Sequence, residues 1–432
     1  MKKNKFITST IILMIGGFIT KILGFIIKIL YTRMVGEAGI SLYSIVMPTY
    51  SLLITIASLA LPTAISKLIA EEKRKTRNIL ISSTFIILFV NVILIVVTIA
   101  SSKFIAYNLL QNKDAYYLIL AMTLTLPFIS ISSVIKGYFF GKQQMMPNTV
   151  SNVAEQILRI ALIILFVPKL MSVSVTLAVM FLILINIFSE FLSIIILTLY
   201  LPKHTKIKKA DLKLDKSTMK DVFSISIPTV SSRFIGNIGL FLEPILLTNI
   251  LLYLGYTNDF ILREYGIYNA YAIALLILPA FFVTAICSAL IPEISKYASL
   301  KKHDMVKRRF FQATKISFIL GLVFSMIIFF FRTPLLQLVY GTSVGSDYIK
   351  VLAPFFVLFY LEAPFISTLQ ALGKSKETMK ITFYGVVIKL ISMVALSFLK
   401  IGIYGLIYSE IINIIFVVIA NMRQIKTVLK QH

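Results

Sequence analysis

Apolar residues run through this chain in long blocks, broken by short polar interruptions, rather than in the one-sided stripes of soluble helices. About twenty apolar residues cross the hydrocarbon core of a bilayer as a helix. On that ruler the pattern predicts twelve spans, over 6–30, 40–69, 78–102, 115–140, 149–168, 172–200, 222–252, 265–295, 310–332, 346–372, 380–399 and 402–422. The first block follows Met1-Lys2-Lys3-Asn4-Lys5. It is too long for a signal-peptide core and no small-residue cleavage site follows it, so it reads as a first membrane helix.

Composition removes the soluble alternatives. Apolar types make up 58% of the 432 residues and charged types 14%, with a mean hydropathy of +0.91. No soluble interior could bury that many Ile, Leu, Val and Phe side chains. The expected fold is an all-α membrane protein. One cysteine, Cys287, excludes a disulfide framework. His204, His303 and His432 sit in polar segments without ligand spacing, so no metal site is expected.

The formal charge of +25 lies mostly in the short interruptions, such as Glu71–Arg77, Pro202–Asp221 and Lys296–Arg309. Placing those on the cytoplasmic side satisfies the positive-inside rule, beside anionic lipid rather than nucleic acid. Both termini are then cytoplasmic, in a multi-pass protein of the cytoplasmic membrane. Loops around Asn258 and Ser343 fall outside.

The linker 202–221 divides the spans six and six, and the halves carry matching residues in the same order. Lys21-Ile22-Leu23-Gly24 is echoed by Arg233-Phe234-Ile235-Gly236, and Ile65-Ser66-Lys67 by Ile294-Ser295-Lys296. Pro48 and Pro62 are echoed by Pro279 and Pro292, Gly141-Lys142 by Gly373-Lys374, and Ser189-Glu190 by Ser409-Glu410. An even number of helices per repeat gives the two copies the same orientation. The expected organisation is an N-lobe (1–201), a cytoplasmic linker (202–221) and a C-lobe (222–432), two parallel six-helix lobes around a central cleft. The prolines read equally as hinges or as passive kinks.

Charges within spans carry the candidate chemistry, because each costs about 2.5–3.5 kcal/mol at mid-bilayer unless paired or wetted. Glu155 and Arg159, four apart on one helix, can neutralise each other. Lys315 can snorkel, and Lys389 falls near Arg159 in repeat register, which assigns it to the same pairing of the fifth and eleventh spans. Lys21 and Arg233 are harder to absorb. They occupy equivalent mid-span positions, and Lys28 lies two turns beyond Lys21 on nearly the same face. Either Glu243 or Glu362 neutralises these cations across the bundle, or Lys21, Lys28 and Arg233 line a positive cavity for an anion. Phosphate oxygens suit the arginine fork. Glu243 and Glu362 are then candidates for a coupling cation or for balancing the empty cavity.

No P-loop, HExxH, GxSxG or CxxC is present, and no loop could house a catalytic domain, so neither an enzyme nor a cofactor is expected. The residues do carry a resemblance. Lys21-Ile-Leu-Gly-Phe25, Tyr43 with Pro48, Ala64-Ile-Ser-Lys67, Gly137-x-x-x-Gly141 with Pro147, Glu155-x-x-x-Arg159 and Ala289-Leu-Ile-Pro-Glu-Ile-Ser295 together resemble the stage V sporulation protein B and polysaccharide-biosynthesis branch of the MOP exporters. The resemblance implies a flippase moving polyprenyl-diphosphate-linked sugars outward. It also implies that Lys21 stands where lipid II flippases place a cavity residue against the diphosphate. The implied partners are a lipid-linked oligosaccharide, membrane lipids and a coupling monovalent cation. A multidrug antiporter of the same fold is the first rival, disfavoured because the first span holds only basic residues. The second rival is a non-transporting scaffold for envelope or spore-coat synthesis.

Overall fold

A 57-residue helix would be about 85 Å long at 1.5 Å per residue, nearly three times the hydrocarbon thickness. The first helical run, α1 (Lys2–Ser58), is that long only because two helices meet at Gly36, whose φ of 62° and ψ of −169° turn the chain. A side chain is strained at that φ, which is why glycine serves there. The computed structural model describes residues 2–72, 74–202 and 215–431, so much of the linker, including His204, lies outside the described residues, as does His432.

The α-helices that follow α1 in the described chain are α2 (Leu61–Glu71), α3 (Thr76–Lys103), α4 (Ala115–Gly141), α5 (Met145–Met171), α6 (Val175–Tyr200), α7 (Lys216–Tyr253), α8 (Asn258–Ile267), α9 (Ala274–Ile277), α10 (Ala280–Ser299), α11 (His303–Phe330), α12 (Arg332–Tyr340), α13 (Ser346–Ala371), α14 (Ser375–Ser397) and α15 (Tyr404–Gln431). Among the described residues, twelve helical segments are long and apolar enough to cross a membrane. Dividing α1 at Gly36, and joining α8, α9 and α10 into one interrupted crossing, also gives twelve, in the predicted order. The helices outrun the predicted spans at several ends. In α15 the polar last turns stay helical because Ile425, Val428 and Leu429 are buried on one face while Arg423 and Lys426 are exposed.

The chain divides into two compact units, Met1–Phe241 and Leu242–His432. The core of the first packs Leu61, Ile65, Ile69, Ile79, Ile87, Tyr138, Phe139 and Leu197 with Val222 at the start of α7. Gly137 and Gly141 let α4 close on α2: a Cβ at 137 would lie 2.9 Å from the Pro62 Cα, and one at 141 would lie 2.8 Å from the Ile69 Cβ. Arg74 holds the start of α7, 3.0 Å from Asp221 and 3.8 Å from Asp215. Asp215 accepts from the Ser217 and Thr218 hydroxyls, both at 2.6 Å. Those bonds favour its charged form and hold its carboxyl down at about 2. The second unit has its own core, built on Leu290, Ile294, Phe310, Phe365, Leu369 and Val418.

Each unit contains a broken crossing. In the first, Leu59 and Ala60 take left-handed conformations (φ 46° and 48°) just before Pro62. The Ala57 carbonyl, in the last turn before the break, accepts from Ser130 Oγ at 3.0 Å and Asn91 Nδ2 at 3.3 Å. Helix ends leave carbonyls without intrahelical partners, and lipid offers none. In the second unit the interruption falls at Pro279, between α9 and α10, and the Leu276 carbonyl accepts from Tyr360 Oη at 2.5 Å. Pro48 and Pro292, the counterparts of these breaking positions, lie inside helices. The repeats therefore share both prolines but break at opposite ones.

Candidate functional site

Lys136 of α4, Glu155 and Arg159 of α5 and Glu190 of α6 meet inside the first unit. Lys136 Nζ is 2.7 Å from Glu155 Oε1 and 3.7 Å from Glu190 Oε2. Arg159 Nη2 is 3.8 Å from both carboxylates, and its Nε donates to Ser189 Oγ at 2.9 Å. Two cations and two anions cancel. The expected Glu155–Arg159 pair is present, but it is half of a larger cluster whose closest contact comes from Lys136. Sequence reading missed Lys136 because it lies near the polar end of its span, where a lysine needs no partner.

The second unit builds a counterpart. Lys389 of α14 places Nζ 2.5 Å from Glu243 Oε2 and 2.5 Å from Glu410 Oε2. Tyr265 Oη donates to Glu243 Oε1 at 3.3 Å. Lys389 matches Arg159 in repeat register, and Glu410 follows Ser409 as Glu190 follows Ser189. The same basic-to-acidic contact thus joins the fifth and sixth crossings of each repeat. The balance differs, however: one ammonium faces two carboxylates here. Glu362 of α13, half-buried, feels the charge of Glu410 and adds a third carboxylate to the neighbourhood.

Lys21 and Arg233 lie in the first unit with exposed side chains, and Lys28 is half-buried. One turn beyond Arg233, Asn237 Nδ2 donates to Thr55 Oγ1 at 2.7 Å, which sets this part of α7 beside the second crossing. Lys315 is exposed on α11. Among the described residues no group of His, Cys, Asp and Glu has the geometry of a metal site.

The arrangement is that of a membrane transporter. A solved inward-facing multidrug resistance MATE family transporter of the MOP superfamily superposes with a TM-score of 0.80 over 95% of this chain and 96% of its own, at 15% identity, which establishes the fold. Residues 6–298 match the polysaccharide biosynthesis protein family, and residues 244–395 match MatE. Stage V sporulation protein B of Bacillus subtilis (strain 168) is 35% identical over 399 residues, covering 90% of this chain and 77% of that protein. The lipid II flippase MurJ of the same organism is 24% identical over 425 residues, covering 91% of this chain and 77% of MurJ. The chain belongs to the polysaccharide biosynthesis protein family, within the MOP superfamily of membrane transporters and lipid flippases.

Proposed function

We propose that this protein is a flippase that carries a polyprenyl-diphosphate-linked oligosaccharide outward across the cytoplasmic membrane, with both termini inside and without chemical change to its cargo. The repeats 1–201 and 222–432, joined by the linker 202–221, act as the moving halves. Lys21, Arg233 and Lys28 hold the diphosphate, and Glu243 and Glu362 serve the coupling cation.

One observation carries the anion-binding part. The mid-membrane acids of the first unit, Glu155 and Glu190, are committed to Lys136 and Arg159. That cluster leaves Lys28 and Arg233 as positive charge within membrane-crossing helices, with Lys21 two turns from Lys28 on the same helix. Surplus charge there is expensive, and an anionic headgroup offsets it. A cationic drug would deepen the imbalance. The relative named as a lipid II flippase supports the same substrate class. In the second unit the sign reverses, since Lys389 cannot balance Glu243, Glu410 and Glu362 together, and that deficit suits a proton or monovalent cation.

Gentle detergent extraction followed by lipid mass spectrometry tests the substrate class. The expected result is an enriched polyprenyl-diphosphate sugar that is lost in Arg233→Glu. Enrichment of ordinary phospholipids only, equal in both proteins, contradicts it.

A further inference from the structure

Three loops, 254–257, 341–345 and 398–403, gather at one end of the second unit, each following an odd-numbered crossing. They and the helix ends beside them line a cavity of about 580 Å³, within the range of small-molecule sites. Its walls are unlike the lipid-facing surface. Tyr256 and Phe260 stack with ring centroids 5.3 Å apart and planes 20° apart, and Tyr348 meets Tyr404 edge-on at 5.6 Å.

Polar groups are set among these rings. Tyr256 Oη donates to the Lys400 carbonyl at 2.6 Å, tying the first loop to the third. Tyr348 Oη donates to the Glu264 carboxylate, which also lies 3.9 Å from Arg263. Asp347 and Lys400, both exposed, add a free carboxylate and an ammonium at the rim. Gly345, in the left-handed region at φ 90°, precedes α13, whose first backbone N–H groups have no intrahelical acceptor.

The mixture selects a ligand class. An inorganic anion would meet Asp347 and Glu264, and an organic cation would meet Lys400. The lining holds two acids, Glu264 and Asp347, and one base, Lys400; Arg263, outside the lining but 3.9 Å from Glu264, offsets the difference, so neither sign is strongly preferred. A neutral polyol with one C–H face fits instead: aromatic faces cover the apolar side, while carboxylates accept from hydroxyls and the ammonium and N–H groups donate to them.

We propose that this cavity is a saccharide-binding site. Its position relative to the membrane rests on the flippase reading, which puts these loops outside, where a glycan emerges after translocation. Its affinity for sugar does not rest on that reading.

The test uses the full-length protein in detergent micelles and saturation-transfer NMR with free saccharides: glucose, galactose, mannose, rhamnose, N-acetylglucosamine, N-acetylgalactosamine and glucuronate. Tetramethylammonium and inorganic phosphate serve as charged controls. The expected result is transfer to the ring C–H protons of at least one sugar. Asp347→Asn and Phe260→Leu should each weaken its binding about tenfold, equivalent to about 1.4 kcal/mol, with unchanged melting temperature. No transfer to any sugar would overturn the proposal. So would sugar transfer that both variants leave intact, or binding of tetramethylammonium or phosphate alone. Sugar binding that persists in protein unable to translocate would leave this site standing and remove only the flippase reading.

Discussion

Lys389 Nζ lies 2.5 Å from Glu243 Oε2, and this contact commits the acid in the middle of α7 to its own unit. Glu243 was one of two candidate counter-ions for the cations of the first and seventh spans. The second unit uses it against Lys389 instead, with Tyr265 on its other oxygen. Exchanging charges, Arg233→Glu with Glu243→Arg, should therefore leave translocation abolished. The readout is complementation of a strain lacking its oligosaccharide-lipid flippase. Rescue by the exchange would return Glu243 to the role of counter-ion for Arg233.

Lys389→Ala should be among the most destabilising single changes in the protein. It strands two nearly buried carboxylates, and breaking a buried pair costs about 3–5 kcal/mol. Lys389→Ala with Glu243→Gln and Glu410→Gln should recover most of that loss, because no uncompensated charge remains. Melting temperatures of the purified proteins in detergent decide it. A triple variant no more stable than the single one would contradict the pairing.

Much of this was legible in the sequence. Long apolar blocks announce helices whatever the tertiary context, so all twelve crossings could be placed. The register of Lys389 with Arg159, and of Ser409-Glu410 with Ser189-Glu190, marked the matched charges before any contact was known. What could not be read was the third member of each cluster. Lys136 and Glu243 come from helices whose spacing gives no sign of the partner they face. Nor do the prolines reveal which of each pair breaks its helix. That depends on where Ser130, Asn91 and Tyr360 can reach an orphaned carbonyl, which is a matter of packing.

Those caps are themselves testable. Asn91→Leu with Ser130→Ala removes both side-chain donors from the Ala57 carbonyl, and Tyr360→Phe removes the donor from Leu276. A buried acceptor left unsatisfied costs about 1–3 kcal/mol. Each variant should melt lower and exchange backbone amide hydrogens faster around its own break, at 57–64 or 274–283, and not at the other. Uniform acceleration across the chain would argue against local caps.

Gly137→Val should prevent α4 from seating on α2, since even a Cβ would approach the Pro62 Cα to 2.9 Å. The expected result is a sharp loss of folded, detergent-stable protein. Gly17→Val, where nothing lies within 4 Å, should be tolerated. Equal behaviour of the two variants would contradict the close approach.

The orientation can be checked by single-cysteine labelling in a Cys287→Ser background. An impermeant reagent applied to intact cells should label cysteines placed at Asn258 and Ser343, and should not label one at Lys301. The opposite pattern would invert the protein in the membrane, and with it the direction of transport.

The most direct measurement is translocation of a fluorescent polyprenyl-diphosphate sugar in proteoliposomes, comparing the native chain with Lys21→Glu, Arg233→Glu and Arg233→Lys. The account predicts transport by the native protein, none by either charge reversal, and partial transport by Arg233→Lys, where a point charge replaces a two-toothed donor. All three variants should keep the native melting temperature. Full transport by both reversed proteins would contradict the assignment of these residues to the diphosphate.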